Sequence, residues 1–144
     1  MQREAHPSII LLRFAAGLIF LAEGTMKFLD PQALGVGRFE RIGLPGALAP
    51  FVAVVEIVCG SALLLGAFTR LSAIPLAIDM AVAIASTKIP ILLGRGYGPF
   101  AHTFAPKAGL GPFLHESRTD LALLAITVYL AIVGAGRWSL DARR

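Results

Sequence analysis

Residues 47–70, ALAPFVAVVEIVCGSALLLGAFTR, are apolar almost throughout and carry a single carboxylate, Glu56. A helix of about 20 such residues, rising 1.5 Å per residue, covers a hydrocarbon core of roughly 30 Å. The stretch therefore reads as a membrane span with an ionisable group two to three turns inside its start. A charge at the centre of such a helix costs about 2.5 to 3.5 kcal/mol on insertion scales, and residues of this kind face a protein interior or wet cavity with a partner. Glu56 thus predicts other spans around it.

Composition agrees: of 144 residues, 56% are hydrophobic and 15% charged, with a mean hydropathy of +0.75. The net charge of +4 comes from basic residues at span ends and in loops, which suits anionic lipid headgroups rather than nucleic acid. The one cysteine, Cys59, allows neither an internal disulfide nor a Cys-x-x-Cys redox or zinc pair, and no metal site is expected.

Working outward, residues 8–29 form an expected first span, closed by Asp30-Pro31. The first apolar run continues for about 20 residues without a convincing A-x-A cleavage site, so it is expected to be retained as an anchor. At about 100° per residue, Arg13, Gly17, Phe20, Gly24 and Lys27 share one face of it. Glu23 precedes Lys27 by four residues, the favourable order for a helix ion pair. Residues 31–46 are turn-rich, with a short interfacial helix expected around Arg38 to Arg41. The second span is 47–70. Residues 69–72 then make a tight link to a third span at 73–93, whose polar stripe contains Asp79, while Lys88 falls on the opposite face and is expected to snorkel. Residues 94–118 hold His102 and His115 among glycines, prolines and aromatics, and are expected to form an interfacial lid. Thr119 is the expected cap of a fourth span, 119–136, in which an acid in the first turn, Asp120, complements the helix dipole. Arg and Trp residues close the chain as an interfacial anchor.

The expected architecture is all-α: an integral-membrane four-helix bundle of antiparallel up-down topology, forming a single domain over 1–144. Four antiparallel spans put both termini on one side, and the density of basic residues places that side in the cytoplasm. Depths along the spans bring Glu23, Lys27, Glu56 and Asp120 towards one end, beneath the lid with His102 and His115. Arg13 and Asp79 fall towards the other end, and are expected to pair as a structural staple.

These residues resemble the DoxX family of small four-helix membrane proteins. The resemblance runs through Arg13, Gly17, Phe20, Gly24 and Lys27-Phe28, then Gly43-Leu44-Pro45, Glu56 with Gly60, LLLGAFTRLSA, Asp120-Leu-Ala-Leu-Leu and GAGRWSLDA. It implies a multi-pass protein of a prokaryotic plasma membrane, related to a subunit of thiosulfate:quinone oxidoreductase. From the residues, Lys27, Glu56 and Asp120 with His115 or His102 offer hydrogen-bond donors and proton-exchanging groups at one mouth of an apolar bundle, an arrangement that suits a quinone headgroup. No covalently attached cofactor is implied. The chain carries no Cys cluster, Walker motif or flavin fingerprint, so electrons are expected to come from another subunit of a membrane redox complex. Two alternatives stay open: an assembly or scaffold subunit in which the same charges are structural, and a small-molecule transporter.

Overall fold

The computed structural model describes residues 6–101 and 107–143. It is all-helical, without a β-strand among the described residues. In chain order the elements are α1 (Ile9–Leu29), α2 (Val36–Ile42), α3 (Leu48–Leu65), α4 (Thr69–Ala83), a π-helical turn (Ile84–Lys88), α5 (Ile89–Leu93), α6 (Leu110–Val133) and a closing 3₁₀ turn (Asp141–Arg143).

Each helix ends for a local reason. Pro31 pushes Asp30 out of the helical region, to φ −131° and ψ 76°, and stops α1. At the end of α3, Gly66 adopts φ 67°, a left-handed conformation in which a side chain is strained. This shortens the expected second span. Thr69 and Arg70, expected in it or in the link, instead open α4, and the link is Gly66 to Phe68. The fourth helix begins nine residues before the expected Thr119, because Gly109 and Pro112 sit at its N-terminal end, where they are tolerated. Thr119 is therefore not a cap.

The π turn has an equally specific cause. Pro90 has no N–H to give the Ser86 carbonyl, and the Ile89 N–H bonds Ile84 O instead of Ala85 O. The freed Ala85 carbonyl accepts from the Tyr97 hydroxyl, and the Ser86 and Thr87 hydroxyls turn back to Ala83 O. One extra residue in the turn rotates the downstream side chains by about 100°. Lys88, about 180° from Asp79 on a regular helix, is thereby swung inward.

Helix α1 packs along α3, and α4 along α6. The α1–α3 contact is close because glycines lie in it: a Cβ on Gly24 would sit 2.6 Å from Ala53 O and 2.9 Å from Ile57 Cγ1. Gly24→Ala is expected to destabilise the protein by about 1–3 kcal/mol through overpacking, whereas Gly111→Ala, with no atom within 4 Å of the added Cβ, should not. Unfolding midpoints in detergent check this, and equal midpoints would rule out the tight α1–α3 contact. Phe20, Leu63, Leu76, Leu123 and Leu130 form the core, yet Leu11, Leu18, Phe51, Val58, Leu71 and Ile132 are exposed. Buried charges inside and large apolar side chains outside are the pattern of a protein surrounded by lipid.

Among the described residues three segments, Ile9–Leu29, Leu48–Leu65 and Thr69–Leu93, are long and apolar enough to cross a membrane by length and composition. Helix α6 differs because its first half carries His115, Glu116, Arg118 and Asp120.

The chain end is tied down by Arg13, whose exposure is 2%. Its guanidinium donates to Leu63 O at 3.0 Å, Leu64 O at 3.2 Å, Ala135 O at 2.9 Å and Trp138 O at 2.7 Å. Asp141 in turn accepts from the Phe68 and Thr69 N–H groups at 2.7 and 2.9 Å, satisfying the start of α4 from 72 or 73 residues away. The expected Arg13–Asp79 staple is therefore not formed. Asp79 lies about 15 Å along α4 from its start, whereas Arg13 is held at the level of the α3–α4 link.

Candidate functional site

Glu56 is the ninth residue of α3 and Asp79 the eleventh of the helical run from Thr69 to Leu93. Counted from the link that joins the two helices, both lie about 14 to 15 Å deep at 1.5 Å per residue. They consequently meet, and the Asp79 carboxyl stands within hydrogen-bonding reach of Glu56. From α1, Lys27 Nζ donates to Glu56 Oε2 at 2.7 Å and lies 3.9 Å from Glu23 Oε2. Glu56 has 3% of its side chain exposed and Glu23 58%, so Glu56 holds the buried end of the lysine and Glu23 its outer end. A second ion pair, Lys88 Nζ to Asp120 Oδ2 at 3.6 Å, joins the π turn to α6.

These groups line one cavity of about 350 Å³. Ile19, Val52, Met80 and Leu123 supply apolar wall, Glu56, Asp79, Lys27, Lys88 and Asp120 the charges, and Arg38, Phe39 and Ile42 of α2 a further side. A space of this size, mostly apolar with a few convergent polar groups, has the make-up of a small-molecule site. The charges face open volume instead of being packed out.

Of the residues expected at the site, Glu23, Lys27, Glu56 and Asp120 are brought together. His115 is not. It is exposed on α6, where it hydrogen-bonds Arg118 at 3.1 Å, because the helix that carries it starts earlier than the composition suggested. His102 lies outside the described residues. Helix α2 lines the cavity, and of the expected 94–118 lid the described Ala101 N–H donates to Ile42 O on it. Asp79, Lys88 and Arg38 are additions. Asp79 was visible as the acid on the polar stripe of an otherwise apolar span, whereas Lys88 needs the π turn to be found.

Fold and site together define a helical membrane protein with a charge cluster lining a partly open cavity between its helices. The chain belongs to the DoxX family, whose model matches residues 8–89. It is 46% identical to "Uncharacterized membrane protein Rv3486" of Mycobacterium tuberculosis, over 99% of this chain and 85% of that one. It is 26% identical to "Putative oxidoreductase CatD" of Bacillus subtilis, over 98% and 90% of the two chains. An "Uncharacterized protein" of Haemophilus influenzae is 33% identical over 92% and 87%. No solved structure matches.

Proposed function

We propose that this chain is a membrane subunit of a redox complex, and that the cavity receives a quinone-type headgroup. In this reading α6 joins the three apolar segments to complete an antiparallel up-down four-helix bundle in a bacterial plasma membrane. The observation that carries the proposal is that five buried or half-buried charged groups, Lys27, Glu56, Asp79, Lys88 and Asp120, surround open space, the first four of them on segments long and apolar enough to cross a membrane. Intramembrane charges are costly, and where they line a cavity they mark a site. The ammonium groups of Lys27 and Lys88 are hydrogen-bond donors for ligand carbonyl oxygens, while Ile19, Val52, Met80 and Leu123 suit the ring. Electrons come from a flavin- or metal-bearing partner subunit. The oxidoreductase name of the Bacillus subtilis relative points to the same class of chemistry.

A scaffold reading has its own support, since each lysine already holds a carboxylate. Ala83→Leu separates the two by filling the cavity without touching a charge. Purified in mild detergent from its native host, the wild-type protein should carry extractable quinone and a redox-active partner. Ala83→Leu should keep the partner and lose at least ten-fold of the quinone. Equal quinone in both would overturn the site.

In the same reading both termini are cytoplasmic. After Cys59→Ala, a cysteine at Ala108 should react with a membrane-impermeant thiol reagent on whole cells, and one at Ala142 should not. The reverse labelling would invert the topology.

A further inference from the structure

We infer that Glu56 and Asp79 hold one proton between them and are the pair that hands it to the bound ligand, an inference that rests on the quinone-type reading of the cavity. The first observation is an orphan. Asp79 Oδ2 is fully buried and has no hydrogen-bond partner among the described residues. The donors around the cavity are directed elsewhere: Lys27 Nζ donates to Glu56 Oε2, and the hydroxyls of Ser86 and Thr87 to Ala83 O. The group left within reach is the Glu56 carboxyl. Two ionised carboxylates are acceptors only and repel, whereas one proton between them makes an O–H···O bond and satisfies the orphan.

Charge balance leads independently to the same count. The groups that face the pair or line its cavity are Glu23 and Lys27 from α1, Arg38 from α2, Lys88 from the π turn and Asp120 from α6. With Glu56 and Asp79 they make four acids against three bases. A single proton brings the cluster to neutrality, and a cluster at membrane depth is most stable when balanced.

The pair is also placed for transfer, since both residues line the cavity. Reduction of a quinone to its hydroquinone consumes two electrons, supplied by the flavin- or metal-bearing partner, and two protons. One O–H bond of the acid pair breaks as one forms on a ligand oxygen, and the second proton comes from water at the cavity mouth. Lys27 remains against the two carboxylates until a proton from water refills the pair.

Infrared spectroscopy of the full chain in lipid nanodiscs at neutral pH tests this. The wild-type protein should show a carboxylic-acid C=O stretch that shifts on exchange into D₂O. The band should vanish in Glu56→Gln and in Asp79→Asn, whose amides can still bond the remaining carboxylate, and persist in Glu116→Gln, which changes an exposed acid outside the cluster. Duroquinone, with binding followed separately by equilibrium dialysis, should perturb it. A wild-type spectrum without the band, or a band that survives both Glu56→Gln and Asp79→Asn, would overturn the shared proton. Duroquinone binding with the band unmoved would overturn the transfer role. An intact band with no duroquinone binding would instead overturn the quinone-type reading and leave the acid pair standing.

Discussion

Arg13→Met is expected to lower the unfolding free energy of the detergent-solubilised protein by about 3–5 kcal/mol, the scale of loss when a buried charged donor is removed and its acceptors are left unsatisfied. Four carbonyls would lose the guanidinium at once, Leu63 and Leu64 at the end of α3 and Ala135 and Trp138 in the tail, and of these Leu63 O keeps the Gly66 N–H. The loss should spread, because the same tail carries Asp141 to the first N–H groups of α4. Arg13→Lys should recover only part of the stability, since a lysine has three donors on one atom and cannot copy the planar guanidinium fork. A double variant with Asp79→Leu distinguishes this arrangement from an Arg13–Asp79 ion pair. Sites without a shared partner add to within about 0.3–0.5 kcal/mol, so the two losses should sum. Rescue of Arg13→Met by Asp79→Leu in equilibrium unfolding would show instead that the two residues are coupled.

Arg13 also shows where sequence reasoning reaches its limit. Its burial on an apolar helix face was legible, and so was the need for a partner. What was not legible is that backbone carbonyls could serve: every helix end offers unpaired acceptors, and these leave no mark in the sequence. The first apolar helix could be read because its run is long and its stop, Pro31, is strong, whereas the second was read as a run but carried to residue 70, past its stop at Gly66. The start of α6 could not, since a glycine- and proline-rich segment reads as loop, although Pro112 is compatible with a first helical turn. That misplacement carried His115 with it.

The site was half legible for the same reason. Lys27 and Glu56 were matched by depth along uninterrupted helices, and they meet at 2.7 Å. Placing the start of the next helix at residue 73 rather than Thr69 put Asp79 about 6 Å too shallow, enough to assign it to the wrong end. Lys88 was assigned to the wrong face because a regular 3.6-residue period was assumed through a stretch where Pro90 forces a wider turn. Side-chain chemistry was thus readable wherever the backbone was regular, and was lost where one irregular turn changed depth or register.

Lys27→Met is expected to produce the second large effect. It leaves Glu56, 3% exposed at its side chain, without its cation, and removes a positive charge that also acts on Asp79. Breaking one partner of a buried pair costs about 3–5 kcal/mol, whereas replacing both by apolar groups of similar shape is often neutral or stabilising. Lys27→Met with Glu56→Leu should therefore return most of the stability lost by Lys27→Met alone, measured as unfolding midpoints in the same detergent. Stability alone does not separate a scaffold from a binding site, because both readings predict this rescue. They part on the ligand. The double variant, folded and assembled with its partner, has neither the ammonium that donates to a quinone carbonyl nor the acid that exchanges its proton, so extracted quinone should fall at least ten-fold below wild type. A double variant that regains stability and still carries wild-type quinone would make the Lys27–Glu56 pair a strut between α1 and α3, and would move any quinone of the complex to another surface.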